Sequence, residues 1–443
     1  MVAPFMAWLS WFLTGCYENK RIYEVNHMRK LLWTVIVLML GLLAGCGSKT
    51  GKIIVKYENW ESLPSQVALH QAMVDAFNAG QEEIYVKFVP VQGGPDKIKV
   101  EIAGGLAPDV FYWGDNMLPP LAEKGVVFDI SGFIKESKLD ITQYYSPLLG
   151  SLRYGKAVYG LPIYFGTTAL VYNKNLFDTA RLPYPNAYWR WDDFRAAARK
   201  LTEHEKGKVS QFGALLPSPL DIVYSFGGGL FDTEGKNCLA NSKETISALK
   251  FLQALQNVDK SVPSRSQLEG EDKYKSATQM FMTGRVAMLL APSFLLSSLS
   301  DIKSFSWDVA PLPLNPDGER ITTFSTGTLH ISSQSKVKRA AFEFVKFACG
   351  AEGTAILGKG RNCIPPIPEV ADKTFKVPPP DHIGIYADAL QTARPVPKIA
   401  WFNEYITSVY KPEMDLFLLG KQSAEQTVDN LKREGIQFIE KRK

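Results

Sequence analysis

The stretch that decides the fold runs from KIIVKYENW (residues 52–60) to APDVFYWGDN (residues 107–116). β-Branched and aromatic side chains predict strands at residues 52–57, 84–89 and 109–113. Apolar residues at helical spacing predict helices between them, at residues 66–78 and 98–103. Strand, helix, strand, helix, strand is typical of a parallel sheet covered by helices, so the sequence predicts an α/β fold.

Further helices are predicted downstream, at residues 192–201, 244–255, 336–347 and 424–440. Proline-rich segments at 365–368 and 378–380 predict surface connectors between these elements. We find no internal repeat.

Residues 28–46 predict a signal segment ahead of the fold. Arg29 and Lys30 precede an apolar run of about 13 residues, which is too short to span a bilayer and ends in small residues before Cys46. Residues 43–46 (LAGC) resemble the lipobox of bacterial lipoproteins, which implies cleavage before Cys46 and its acylation. We interpret 28–45 as the lipoprotein signal peptide and 1–27 as an extension from a start codon assigned too early, which favours Met28 as the true start.

Composition excludes some classes of function. The chain has a net charge of +5, and residues 1–45 hold four basic and two acidic side chains, so the remainder carries +3. That charge is too small to indicate nucleic-acid binding. Aromatic residues make up 12% of the chain, and aromatic faces are what carbohydrate sites use, although most rings are expected in the core.

The five cysteines give no CxxC pair, which argues against a structural zinc site. Cys349 and Cys363 are close enough in sequence to pair across a short loop, and the sequence leaves this open. Cys238 is expected to be a buried, small apolar residue.

Several motifs then follow in a specific order: APDVFYW (107–113), YGLP (159–162), LVYNKNLF (170–177), WDDF (191–194), GGGLFD (227–232), FMTGRVAM (281–288) and APLP (310–313). This order resembles the family 1 extracellular solute-binding proteins of ABC importers, the maltose-binding-protein-like group. The resemblance implies a two-lobed, type II periplasmic-binding-protein-like fold, with a ligand cleft between lobes joined by hinge strands. It implies crossings near residues 164–169, 322–328 and 365–380. Lobe I would then comprise 46–165 and 325–370, and lobe II 166–324 and 371–443.

A carbohydrate site needs flat rings for the C–H faces of the sugar and polar side chains for its hydroxyls, because an unpaired buried polar group costs roughly 1–3 kcal/mol. In open α/β sheets such side chains lie beyond the carboxyl ends of the strands. From these loops and from the resemblance, the candidate ligand-binding residues are Trp60, Glu61, Trp113, Asp115, Tyr164, Tyr224, Phe294, Ser325, Gly327, Trp401, Asn403 and Glu404. For the aromatic residues, packing in the core remains the alternative.

The sequence departs from the family at two positions. Many relatives carry an acidic residue where Gly166 stands, and Phe294 stands where relatives often have tryptophan. A maltose-like site is therefore not assumed. We expect Trp113→Ala and Asp115→Ala each to weaken ligand binding roughly tenfold or more without unfolding the protein.

Enzyme signatures are weak. Residues 353–360 nearly match a P-loop, but Gly360 replaces the hydroxyl residue that binds magnesium, and there is no HExxH or GxSxG motif. A secreted glycoside hydrolase needs two carboxylates about 5–9 Å apart, and the sequence does not exclude such a pair. A structural cell-surface lipoprotein is the other alternative.

The sequence and the resemblance together favour a receptor rather than an enzyme. We expect a lipid-anchored, monomeric solute-binding protein at the extracytoplasmic face of the cell membrane. Its expected partners are a carbohydrate, in particular an oligosaccharide or a glycoside, and the permease subunits of an ABC importer. Neither nucleic acid, nor a metal, nor an organic cofactor is implied.

Overall fold

The computed structural model describes residues 51–442, except 62, 93, 265, 266 and 269–271. The predicted signal peptide, the extension 1–27 and the acylation site at Cys46 lie outside the described residues. The chain divides into the units Met1–Lys52 and Ile53–Lys443, and the elements below belong to the second. Within the described residues, no helix is long and apolar enough to cross a membrane.

The described strands, in chain order, are β1 (Ile53–Asn59), β2 (Ile84–Pro90), β3 (Val110–Gly114), β4 (Arg153–Tyr154), β5 (Ala157–Val158), β6 (Gly160–Asn173), β7 (Glu203–Glu205), β8 (Lys208–Leu215), β9 (Val286–Pro292), β10 (Trp307–Ala310), β11 (Thr322–Ile331) and β12 (Ala393–Pro395). The helices are Pro64–Ala79, Pro95–Ala103, Leu118–Glu123, Ser131–Ser137, Ser146–Leu149, Lys174–Thr179, Trp191–Lys200, Pro219–Ser225, Lys243–Gln253, Lys273–Met282, Leu296–Leu299, Lys338–Ala348, Ala351–Gly358, Pro368–Thr374, Ile385–Asp388, Phe402–Tyr405, Lys411–Leu418 and Ala424–Glu440.

One mixed sheet organises the second unit. Its order is β2-β1-β3-β11-β6-β9-β8-β7, with β10 paired to β6 and β12 to β11. β1 is parallel to β2 and β3, whereas the long strands β6 and β11 are antiparallel and lie in the middle. We call β1–β3 with their helices the first half, and β7–β10 with theirs the second half.

Each half has its own apolar core. In the first half, Tyr57 and Phe344 belong to a cluster over β1 and β3. In the second half, Phe194 and Leu249 belong to another, and Phe165 of β6 packs in a third cluster. Burial of one such side chain contributes roughly 1.5–3 kcal/mol to stability. Because the clusters are separate, the helices at each end of the sheet stabilise that end.

The predicted strands and helices are confirmed, with small shifts at their ends. In the helix predicted at 244–255, the α-helical part ends at Gln253, and a π-helical segment, Ala254–Val258, follows it directly. The surface connector predicted at 365–368 is wrong, because Pro365 and Pro366 are buried and follow Ile364, which pairs with Phe165.

The described cysteines are free thiols. Cys349 is buried, Cys363 is half-buried, and they do not pair with each other. Cys238 is half-buried and packs against the apolar cluster of the second half.

Gly213 sets how closely β8 approaches the helix Trp191–Lys200. A Cβ at this position would lie 1.8 Å from the carbonyl oxygen of Ala198. Because the atom it meets belongs to the backbone of a helix, it cannot move aside as a side chain could. We expect Gly213→Ala to lower the free energy of unfolding by about 1–3 kcal/mol, measured by urea denaturation. Gly132→Ala is the control: its Cβ would meet nothing within 4 Å, and it lies in the helix Ser131–Ser137, so it should be neutral or stabilising. Equal effects of the two changes would contradict this.

Candidate functional site

The carboxyl ends of strands from the two halves face each other across the middle of β6. Gly114, at the end of β3, is beside Gly327 of β11, which pairs with Tyr164 of β6. β9 runs the opposite way, and its last residue, Pro292, pairs with Thr168. The loops that follow β3 and β9 therefore face each other across residues 164–168, a span of about 13 Å, and the ends of β1 and β8 lie beside them in the sheet. Because ligands of α/β folds bind at strand carboxyl ends, we call these loops, with residues 164–168 and 323–327, the strand-end site.

Three aromatic side chains pack in series on the first-half side. The ring centroids of Trp60 and Tyr112 are 5.2 Å apart, and those of Tyr112 and Tyr164 are 5.3 Å apart. Trp60 and Tyr164 are half-buried. The indole N–H of Trp60 is buried and has no hydrogen-bond partner among the described residues. This series offers a partly open aromatic surface.

Gly327 makes room for this series. A Cβ at this position would lie 2.5 Å from Cε2 of Tyr164 and 2.8 Å from Cε2 of Tyr112. The candidate Gly327 is therefore a residue that makes room for the two tyrosine rings, which cover the side of it where a Cβ would lie.

Glu61 lies near the tyrosine hydroxyls. Burial raises the pKa of Tyr112 and of Tyr164 above the ordinary value, and the Glu61 carboxylate is a smaller cause in the same direction. Both hydroxyls are therefore protonated at neutral pH and can donate hydrogen bonds. Glu61 itself accepts a hydrogen bond from the backbone N–H of Leu63 at 3.1 Å.

Ser293 and Ser325 converge on Gly166. A Cβ on Gly166 would lie 3.1 Å from Oγ of Ser293 and 3.5 Å from Oγ of Ser325. Ser325, which pairs with Gly166, is exposed, whereas Ser293 is buried. Two hydroxyls thus stand where many relatives are expected to have a carboxylate.

Asp115 joins the loop after β3 to β11. Its Oδ1 accepts a hydrogen bond from the backbone N–H of Thr326 at 3.1 Å. Burial raises the pKa of Asp115, while that N–H and the charge of Lys398 oppose the rise. Burial also lowers the pKa of Lys398, whose Nζ donates to the carbonyl oxygen of Gly150 at 2.6 Å. The site therefore contains a carboxylate and an ammonium group that favour each other's charged form.

The three C-terminal candidate residues lie in different surroundings. Asn403 accepts a hydrogen bond from Asn116 at 3.3 Å and lies 3.1 Å from the sulfur of Met117, so it reaches the loop after β3. Glu404 is exposed and forms an ion pair with Arg442 at 2.7 Å. Trp401 packs edge-on against Phe231, at 4.9 Å between centroids. Only Asn403 of these three is brought to the strand-end site by these contacts.

Two aromatic candidates are core residues. Trp113 is 3% exposed and packs with Phe111 in an apolar cluster. Its ring lies on the opposite face of β3 from that of Tyr112, because neighbouring residues of a strand face opposite sides. Tyr224 is also buried, with its hydroxyl unpaired among the described residues. For both, the expectation of a ligand-facing ring is corrected.

Phe294 lies on the second-half side of the site. It is 48% exposed and packs edge-on against Tyr274, at 5.3 Å between ring centroids. Asp221, which the sequence did not single out, lies on the helix Pro219–Ser225 with its charge near Tyr274. Burial raises its pKa to about 6, against the charge of Lys273 and the hydroxyls of Ser218 and Thr323.

This pKa predicts a pH-dependent stability. The pKa of Asp221 is about 6 in the folded state against 3.8 for the free side chain, so the folded state binds the proton more tightly. The stabilisation from Asp221 is therefore lost as pH rises from about 4 to 6. We expect the difference in unfolding free energy, Asp221→Asn minus wild type, to increase by roughly 1–3 kcal/mol over this range in urea titrations and to be constant above it.

Asp140→Asn is the control with the opposite sign, because hydrogen bonds from Thr142 lower the pKa of Asp140. A difference for Asp221→Asn that is the same at pH 4 and pH 7 would contradict the assignment.

Sequence reasoning missed Tyr112, Asn116, Lys398, Tyr274 and Asp221. Tyr112 is next to Trp113 in the sequence. The two rings lie on opposite faces of β3, and local sequence does not show which face borders the site. Lys398 and Asp221 carry no local signal, since their neighbours in the site come from distant segments. Together, the rings, hydroxyls and charged groups suit non-covalent binding of a polar ligand with apolar faces.

Comparison with known proteins gives a consistent picture. The family model described as bacterial extracellular solute-binding protein matches residues 60–355. The maltotriose-binding protein of Pyrococcus abyssi is 24% identical over 366 residues, 80% of this chain and 74% of that protein. The arabinooligosaccharide-binding protein of Bacillus subtilis is 26% identical over 361 residues, 73% of this chain and 77% of that protein.

Solved structures match over most of the chain. An ABC substrate-binding protein from Listeria monocytogenes in complex with cycloalternan superposes with a TM-score of 0.79 and 26% identity, covering 88% of this chain and 99% of that one. A maltose-bound protein of T. maritima gives a TM-score of 0.73 at 19% identity, covering 87% of this chain and all of that one. The α/β fold with two lobes is thereby established.

Proposed function

Because this chain belongs to the bacterial extracellular solute-binding protein family, we propose that it is a lipid-anchored receptor that captures a carbohydrate for an ABC importer. The solute is an oligosaccharide or a glycoside bound between the lobes at the strand-end site. The protein makes and breaks no bond in the ligand. It delivers the ligand to the permease subunits in the membrane.

One observation carries this proposal: the match over 88% of the chain to a solute-binding protein in complex with cycloalternan, a carbohydrate. The strand-end site supports it, because Trp60 and Tyr164 offer ring faces while Glu61, Asp115 and Ser325 offer hydrogen-bonding groups around them. Rings match the C–H faces of a sugar, and polar groups match its hydroxyls, which would otherwise be unpaired when buried.

The lobes of the proposed receptor are 46–165 with 325–370, and 166–324 with 371–443. Separate apolar cores on the two sides of β6 and β11 support this division. Contacts of Lys398 with Gly150 and of Asn403 with Asn116 join the proposed lobes directly. A ligand that contacts both lobes would favour a closed arrangement by its differential contacts with that state.

Membrane attachment is part of the proposal. Cleavage before Cys46 and acylation of its thiol would hold the receptor at the extracytoplasmic face, as a monomer near its permease. Expression with labelled palmitate tests this: wild type should incorporate label, and Cys46→Ser should not.

A thermal-shift screen tests the function. Residues 47–443 are heated with mono- and oligosaccharides, uronates, sugar phosphates and glycosides. A ligand that binds only the folded state adds about 2.7 kcal/mol of stability at a hundredfold excess over its Kd. We expect a clear shift from one carbohydrate class and no product after incubation. Release of cleaved sugar would instead indicate a hydrolase, and no shift from any carbohydrate would contradict the proposal.

A further inference from the structure

A chamber of about 460 Å³ lies in the second half, apart from the aromatic series of the first half. Its walls come from the segment after β8 and from the helices Lys243–Gln253, Lys273–Met282 and Lys411–Leu418. The volume is in the range of small-molecule pockets. None of the candidate residues predicted from the sequence lines it.

The lining of the chamber is mainly aliphatic. Leu216, Pro217, Leu252, Met414 and Leu418 form much of the wall. Gln256, Asp272, Lys273, Lys411 and Asp415 line the rest of it. Because an unpaired buried hydroxyl is costly, the aliphatic part of the wall suits an apolar group better than a sugar ring.

Tyr274 connects the chamber to the strand-end site. It lines the chamber, and its ring packs against Phe294, which follows β9 at the strand-end site. Tyr410 also lines the chamber; it is 6% exposed, and its hydroxyl has no hydrogen-bond partner among the described residues. An apolar group that carries one acceptor atom would satisfy both the walls and this hydroxyl.

We propose that the chamber binds the apolar aglycone, an aryl or alkyl group, of a glycoside whose sugar occupies the strand-end site. This rests on the proposed carbohydrate-binding function and narrows it to glycosides with an apolar substituent. The ligand would then be held at two places: ring faces and hydroxyl partners at the strand ends, and aliphatic walls beyond Tyr274.

Paired glycosides test the proposal by calorimetry on the full-length protein. The probes are the methyl and the 4-nitrophenyl glycosides of glucose, galactose, mannose and arabinose. For the sugar that binds, the 4-nitrophenyl glycoside should bind at least tenfold more tightly than the methyl glycoside. Leu418→Trp, which places a larger side chain in the wall and narrows the chamber, should reduce this gain and leave methyl-glycoside affinity unchanged. Leu419→Trp is the matched control, because Leu419 is 56% exposed and outside the lining, and it should keep the gain.

A second measurement does not depend on the sugar. Benzyl alcohol should shift the ¹³C-methyl NMR signal of Met414 saturably in wild type and require a higher concentration to do so in Leu418→Trp. If no glycoside binds but Met414 shifts, capture of glycosides fails while apolar binding by the chamber stands, and the thermal-shift screen decides the carbohydrate function separately. If a methyl glycoside binds but the 4-nitrophenyl group gives no gain, the aglycone proposal is overturned whether or not Met414 shifts.

Discussion

Gly327→Val is expected to raise the Kd for carbohydrate at least a hundredfold, about 2.7 kcal/mol of binding free energy. Even a single Cβ here would lie 2.5 Å from the Tyr164 ring and 2.8 Å from the Tyr112 ring. The rings must move, and Trp60 packs against Tyr112, so the whole aromatic series is displaced. The preceding residue, Thr326, donates its N–H to Asp115, so the carboxylate loses its position as well.

Thr328→Val is the matched control for this change. It places the same side chain one residue further along β11, where Thr328 is buried and its hydroxyl has no partner among the described residues. No hydrogen bond is lost, so affinity by calorimetry should remain within about twofold of wild type. Circular dichroism of both variants separates loss of the site from loss of the fold. Wild-type affinity in folded Gly327→Val would show that the aromatic series does not bind the ligand.

Trp60→Ala is expected to weaken carbohydrate binding about thirtyfold, roughly 2 kcal/mol, the scale of a large aromatic contact at a binding site. Trp60 is half-buried and directly follows β1, so its ring borders the strand-end site. Its N–H is buried without a partner among the described residues, so a ligand oxygen would pair with it only after a shift of the ring on binding. Trp60→Phe keeps a ring and loses the donor, so its effect should be intermediate in the same titration.

Trp113→Phe provides the comparison with a tryptophan of the same strand-end region. Trp113 packs in an apolar cluster, with Lys99 5.9 Å from its ring, so this change should reduce stability in urea and leave affinity nearly unchanged. The opposite pattern, in which Trp113→Phe loses affinity and Trp60→Ala does not, would restore the original assignment of Trp113 and reject that of Trp60.

Local sequence predicted the elements of the first half well. β-Branched runs and helical spacing are properties of neighbouring residues, and strands β1, β2 and β3 lie where those patterns placed them. The prediction of a surface connector at 365–368 is wrong because of a contact between residues far apart in sequence. Prolines are typical of surface connectors, but here they follow Ile364, which pairs with Phe165 in the middle of the chain and carries the segment into the interior.

The site was predictable only in part. The rule that ligands bind beyond strand ends predicts Trp60, Glu61 and Asp115 as site residues, because each comes soon after a predicted strand. Which side a ring faces depends on the helices that cover each side of the sheet, so local sequence does not show that Trp113 packs in an apolar cluster while Tyr112 stacks between Trp60 and Tyr164. The contacts of Asp115 with Lys398 and of Asn116 with Asn403 join segments far apart in sequence, and no spacing rule predicts them.

The most direct test of carbohydrate capture at the strand-end site is a crystal structure of the protein with the sugar that gives the largest thermal shift. We predict ligand density against the rings of Trp60 and Tyr164, with hydroxyls within hydrogen-bond distance of Glu61 or Ser325. Ligand density elsewhere on the molecule, with the strand-end site free of it, would contradict the account.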